Sequence, residues 1–238
     1  QVIEQTSPEA FTWLGFIILG GLWLSSLSLQ QPYVTNKSLT RISSIYQKIA
    51  TKRFVFFFIA GLLLQISFGP YYSFFALYLK DLNYPSYAVG AFMGVSIVAE
   101  IGIFLVLGSL FKYFSIQTLL VLSVFLSALR WYLTGHFADT VIILAFAQLF
   151  HAFSFGTYHS ASMQFLQNHF DANQQNRGQA IYIACVYGVG GAIGAYIAGL
   201  CWQEGAGSEL AYNVAATAAL LSGVMVLLIP KVKKASVS

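Results

Sequence analysis

AVGAFMGVSIVAEIGIFLVLGSLF (88–111), IQTLLVLSVFLSALRWYL (116–133) and VIILAFAQLFHAFSFGTYHSASMQF (141–165) are three successive apolar stretches, each carrying one residue that hydrocarbon rejects: Glu100, Arg130 and His151. Each stretch has the length of a helix that crosses a bilayer, about 17 to 25 residues. Counting about 1.5 Å per residue, Glu100 lies about 18 Å and His151 about 16 Å from the outer ends of their helices, near the midplane. Arg130 sits nearer the outer face, with a side chain long enough to reach inward or outward. A charge at the centre of a spanning helix costs about 2.5 to 3.5 kcal/mol on insertion scales, so a residue kept there is paired or works in a cavity. An acid, a guanidinium and an imidazole on consecutive spans point to a proton-linked or anion-linked transport site.

The rest of the chain agrees with a membrane setting. Of 238 residues 58% are hydrophobic and 8% charged, with a mean hydropathy of +0.71, far below the roughly 25% charged residues of a soluble domain. Further apolar runs at 11–29, 54–79, 180–202 and 211–229 bring the expected spans to seven. None alternates with period two, so an all-α membrane protein is expected and not a barrel. The net charge of +4 does not make a nucleic-acid face, because the basic residues cluster by loop. Lys37, Arg41, Lys48, Lys52, Arg53, Lys112, Arg177, Lys231, Lys233 and Lys234 fall on one side, against Lys80 alone on the other with Glu4, Glu9, Asp81, Asp139, Glu204 and Glu209. By the positive-inside rule the first side is cytoplasmic, and Trp13, Trp131 and Trp202 then fall at outer helix ends, where indoles favour the headgroup layer. Cys185 and Cys201 would lie about 24 Å apart on one helix, beyond disulfide reach, and no metal or cofactor motif is present. Gln1 is not an initiator Met and no signal peptide precedes the first span, so a fragment with a missing beginning is expected.

The organisation expected is a first helix at 1–29, a basic cytoplasmic linker at 30–53, a six-helix domain at 54–230 and a basic tail at 231–238. Within the linker Leu39, Ile42, Ile45, Tyr46 and Ile49 recur at helical spacing and suggest a short helix on the membrane surface. The six helices read as three plus three, the pattern of an inverted repeat. Gly69-Pro70 inside the run 54–79 predicts a break, since proline removes a donor and clashes one turn back. On 180–202, Gly190, Gly194 and Ala198 form one line of small residues and Gly191, Ala195 and Gly199 another, both fit for close packing. Gln148, His151, Ser154, Tyr158 and Ser162 recur at three- and four-residue steps and give the 141–165 helix one polar face. His159 is expected to be solvated, and His136 and His169 to lie in loops.

Gly69-Pro70-Tyr71-Tyr72-Ser73-Phe74-Phe75, Tyr78, Val98-Ala99-Glu100, Leu129-Arg130-Trp131, Gln148-Leu149-Phe150-His151-Ala152, His159 with Met163, and Gln179-Ala180-Ile181-Tyr182 together resemble the phenyl propionate permease family of the major facilitator superfamily, over residues 54–229. Gly108-Ser109-Leu110-Phe111-Lys112 is similar to a worn copy of the superfamily's short cytoplasmic loop motif. The resemblance implies a C-terminal transporter half, with 1–29 as the last helix of a missing N-terminal half and 30–53 as the linker. It implies a proton symporter of a small organic acid, such as a phenylpropionate-like aromatic carboxylate, in a bacterial inner membrane. Glu100 and His151 would then handle the coupling proton and Arg130 the substrate carboxylate, in a site lined by Tyr71, Tyr72, Phe75, Gln148, Gln179 and Tyr182. The partners implied are a small-molecule substrate, protons, the lipid bilayer and the other half of the transporter. Sugar permeases of the lactose permease type are similar in their acid, arginine and histidine, but carry an acid one turn after the histidine where this chain has Ser154; a proton-coupled sugar or nucleoside permease is the alternative. A non-enzymatic protein is expected. An intramembrane protease would need a Gly-x-Ser-Gly turn, and the nearest sequence, Gly94-Val95-Ser96-Ile97, is mid-helix. A non-transporting membrane receptor on the same fold is the remaining alternative.

Overall fold

The computed structural model describes residues 8–27 and 45–230, and the chain divides into two compact units, Gln1–Arg41 and Ile42–Ser238. The first contains helix α1 (Pro8–Leu27). Most of its described side chains are apolar and exposed, and Ser25 and Ser26 return their hydroxyls to the carbonyls of Leu22 and Trp23 at 2.8 and 2.7 Å. Of the surface helix expected in the linker, α2 (Ile45–Ile49) is described; Leu39 and Ile42 lie outside the described residues, as does the 231–238 tail.

The second unit contains six helical segments long and apolar enough to cross a membrane. The first span is α3 (Lys52–Ser67) and α4 (Gly69–Asp81), broken at Phe68. The second is α5 (Ser86–Tyr113) and the third α6 (Ile116–Phe137). The fourth runs through α7 (Val141–Leu149), a π-helical segment Ala152–Thr157 and α8 (Tyr158–His169). The fifth runs through α9 (Gln175–Tyr182), a second π-helical segment Ile183–Val189 and α10 (Gly190–Trp202), and the sixth is α11 (Ser208–Leu227). The chain is an integral, multi-pass, all-α membrane protein. Helix α11 packs along α6 and α3, α10 packs along α4 and α3, and α5 lies against α7 and the first π segment.

The break at Gly69-Pro70 follows from proline chemistry: Pro70 has no N–H and its ring collides with the carbonyl four residues back, that of Ile66. The fifth span receives this distorted turn. A Cβ at Gly194 would lie 2.5 Å from the Ile66 oxygen, and one at Gly69 would lie 2.1 Å from the Gly194 oxygen. Two backbones therefore touch at a point where neither tolerates a side chain. Of the two lines of small residues, only Gly190, Gly194 and Ala198 form this buried seam; Ala195 and Gly199 are exposed, and a Cβ at Gly199 would meet nothing within 4 Å.

Two tryptophans depart from the expectation of a headgroup belt. Trp131 is fully buried, donating its indole N–H to Ser67 Oγ at 3.0 Å and lying edge-on to Phe68. Trp202 is buried against Phe74, with ring centroids 4.6 Å apart. Each indole finds inside the bundle the contacts that the headgroup layer would otherwise supply, while Trp13 on α1 is exposed.

Overfilling a packed contact costs about 1 to 3 kcal/mol. Gly69→Ala and Gly194→Ala are each expected to lower the thermal midpoint of the purified protein, while Gly199→Ala leaves it unchanged or slightly raised. Equal midpoints for all three would show that the seam is not there.

Candidate functional site

Helix α6 delivers Arg130 to the interior with no exposed surface. Its Nη1 donates to His151 Nδ1 at 2.8 Å and to Ser154 Oγ at 3.4 Å, and its Nη2 donates to Gln148 Oε1 at 3.0 Å. The ring of Tyr71 lies 4.3 Å and that of Trp131 4.6 Å from the guanidinium carbon. A desolvated cation over an aromatic face gains about 2 kcal/mol or more, so the rings carry part of the solvation that water has given up. Gln148 is fixed in turn: its Oε1 also accepts from Ser96 Oγ at 3.1 Å, and its Nε2 donates to the Leu144 carbonyl at 3.4 Å.

A guanidinium donates and never accepts. His151 Nδ1 must therefore be the unprotonated, accepting nitrogen, and the ring proton resides on Nε2. That nitrogen faces Glu100 Oε2 at 3.5 Å. The imidazole stands between acid and base, and no ion pair joins the two directly among the described residues. Glu100 keeps 18% of its side chain exposed whereas Arg130 keeps none, so the chain of groups runs from a partly exposed carboxylate to a fully buried cation.

Local backbone structure sets this spacing. His151 immediately precedes the π segment Ala152–Thr157, and π turns insert an extra residue into a helix. Gly156 within it allows α5 to approach: a Cβ there would lie 3.0 Å from Ile103 Cγ2 and 3.2 Å from Glu100 Cγ. The His151 ring stacks parallel on Phe155, which stacks on His159, at centroid separations of 5.5 and 5.9 Å. His159 is half-buried and pairs with the Tyr187 hydroxyl at 2.9 Å, in place of the solvated residue expected. Tyr187 lies within electrostatic range of Glu100 and Tyr72, and Tyr72 of Glu100 and Arg130. Tyr72 is exposed and lies edge-on to Tyr71 at 5.5 Å, and Tyr187 meets Phe155 edge-on at 6.4 Å.

The residues expected at the site divide into two groups. Glu100, Arg130, His151, Gln148, Tyr71 and Tyr72 gather as described, and Phe75 is buried behind Tyr71 at a ring separation of 4.9 Å. Tyr182 and Gln179 do not join them. Tyr182 is fully buried, bonded to Ser162 Oγ at 3.3 Å, stacked on Phe57 and pressed against Gly61. Gln179 is half-buried in α9 and makes none of the Arg130 bonds. The polar face of the fourth span is buried throughout, yet it serves both groups: Gln148, His151 and Ser154 turn to Arg130, while Tyr158 and Ser162 turn to Tyr182. The other histidines are also placed otherwise than in loops. His136 lies in α6 and pairs with Asn213 at 2.8 Å and Glu209 at 3.5 Å; His169 ends α8 and bonds the Lys48 carbonyl at 3.0 Å.

Ser96, Trp131, Phe155 and Tyr187 belong to the site but were not singled out for it. Ser96 lies four residues before Glu100 and so on the same helical face, a signal present in the spacing. Among the described residues no three His, Cys, Asp or Glu side chains gather as metal ligands.

Comparison with known proteins supplies the affiliation. The chain is 32% identical over 142 residues, 59% of its own length, to a "Probable 3-phenylpropionic acid transporter" of Escherichia coli (strain K12), and spans only 37% of that protein. No solved structure matches it. The model of the MFS_1 like family matches residues 1–214. With six spans, a broken first one and an acid–imidazole–guanidinium line buried between them, the chain belongs to the MFS_1 like family of major facilitator transporters.

Proposed function

We propose that this chain forms the C-terminal half of a proton-coupled symporter for a small organic acid, an aromatic carboxylate of the phenylpropionate kind. The domain 54–230 is the six-helix half, 1–29 the last helix of the N-terminal half, and 30–53 the linker, set in a bacterial inner membrane with the linker and C-terminus in the cytoplasm. The observation that carries this reading is the bond from Arg130 to His151 Nδ1 at 2.8 Å, with the opposite imidazole nitrogen facing Glu100.

All the acceptors around Arg130 are neutral: an imidazole nitrogen, an amide oxygen and a hydroxyl. A substrate carboxylate makes stronger, charge-assisted bonds to a guanidinium than they do, and it can displace them. Once Arg130 turns to the substrate, His151 Nδ1 is left without its donor and takes up a proton, and the resulting imidazolium is held by the Glu100 carboxylate. Substrate and proton thus load together. The negative substrate and the positive proton sum to zero, which lowers the cost of carrying both through a low-dielectric interior. The rings of Tyr71, Trp131, Phe68 and Phe155 near Arg130 and His151 suit an aromatic acid better than a sugar. The name of the Escherichia coli relative favours the same class.

Two measurements test this on the full-length protein in vesicles. Glu100→Gln is expected to abolish uphill accumulation driven by a pH gradient while leaving exchange of labelled substrate across the membrane; undiminished accumulation would refute the coupling role. Nitrogen NMR of histidine-labelled protein is expected to show His151 protonated on Nε2 and bare on Nδ1, with Arg130→Met mixing the two tautomers. A protonated Nδ1 in the unaltered protein would overturn the order of the line.

A further inference from the structure

The cavity of about 420 Å³ in the second unit is not at Arg130. It opens at the end of the bundle where α3 and α6 begin and where α8 and α11 finish, the basic side of the chain. Its wall holds a second arginine. Arg53 lies with its guanidinium 5.1 Å from the Phe165 ring centroid, and its Nε is buried with no hydrogen-bond partner. Among the described residues, no acidic one lines the space.

The start of α6 adds to the positive field. Ser115 Oγ caps Thr118 N–H at 3.1 Å, and the first helical bond runs from Leu119 N–H to the Ser115 carbonyl. The N–H groups of Ile116 and Gln117 precede that ladder and lie at the positive end of the helix dipole. The Gln117 side chain is already committed, donating to the Val226 carbonyl at 2.9 Å. Lys48, by contrast, is neutralised by Asp171 at 3.2 Å. Pro230 at the lip is followed in the sequence by Lys231, Lys233 and Lys234. Beside Arg53 and the start of α6, Leu120, Phe165 and Ile229 make the remaining wall apolar.

We propose that this cavity binds the phosphate of an anionic phospholipid headgroup, with Arg53 and the start of α6 on the phosphate and the apolar wall along the adjoining glycerol and acyl stem. The ligand chemistry is a phosphate anion in a mixed polar and apolar pocket. A free phosphate would use the cationic part alone, whereas a lipid uses both at the level where the bilayer supplies one. Basic pockets between spans on the cytoplasmic side are suited to such headgroups, each cation near the surface contributing about 1 kcal/mol. The site stands apart from the transport reading and does not depend on it.

The test uses the full-length protein in detergent, titrated with phosphatidylglycerol, phosphatidylcholine or inorganic phosphate, with bound lipid read by native mass spectrometry and stability by thermal unfolding. Phosphatidylglycerol is expected to be retained and to raise the midpoint, and phosphatidylcholine not. Arg53→Gln is expected to weaken retention about five- to tenfold. Ser115→Asp preserves the helix cap, since aspartate caps as well as serine, and places a negative charge in the cavity, so it is expected to fold normally and lose the lipid. An equal effect of inorganic phosphate keeps the anion site and assigns it to a free ion. Unchanged phosphatidylglycerol binding in both variants would overturn the proposal, as would loss of binding only when Lys231, Lys233 and Lys234 are replaced by Gln.

Discussion

A guanidinium without water must be surrounded by acceptors and polarisable faces, and the interior of this bundle is arranged to do that for Arg130. Three spans contribute. The broken first span brings Tyr71 over the cation, the third brings Trp131 beside it, and the fourth brings Gln148, His151 and Ser154 to its donors. None of these groups is charged when Arg130 holds it, so the balancing carboxylate is displaced to the far side of an imidazole. That displacement separates a fully buried end from a partly exposed one. It also leaves Arg130 bonded to neutral acceptors, with no carboxylate among its hydrogen-bond partners in the described residues.

The same logic explains the supporting structure. Trp131 stays next to the cation because Ser67 accepts its N–H. Ser67 is the last residue of α3, one position before the break that Gly69-Pro70 imposes. The break is stable because Gly194 presents bare backbone to the Ile66 carbonyl. A proline, a glycine on another span, a serine and a tryptophan are thus linked by contact to the geometry of one arginine.

The spans were legible in the sequence because an apolar run of membrane length has few other meanings. The central residues were legible because each is costly in hydrocarbon. What escaped was of two kinds. Residues whose polar atom is satisfied by a distant partner could not be read from their own position: Trp131 and Trp202 fit a headgroup belt until Ser67 and Phe74 are seen, and His159 fits a solvated site until Tyr187 is. Helical periodicity was the other source. The polar face of the fourth span runs evenly at 3.6 residues per turn only in an unbroken α-helix, and the π segment between His151 and Tyr158 lets one sequence stripe serve two separate clusters. Tyr182, assigned through family resemblance alone, lies with the second cluster, Gln179 makes none of the Arg130 bonds, and Tyr187 inside the second π segment pairs with His159, a contact that periodicity would not suggest.

Both π segments carry a residue that an α-helix of the same rise would not need. Deleting one residue from either stretch therefore need not tear a hole in a span; the wide turn can tighten into a regular one and the helix close over the gap. What is kept is phase. The extra residue is absorbed within one wide turn, so removing it leaves the residues on both sides facing as they did, with Gln148 and His151 toward Arg130 and Ser162 toward Tyr182. Chain length in these two spans is in that sense adjustable, and related chains can differ by a residue there while keeping both clusters in place.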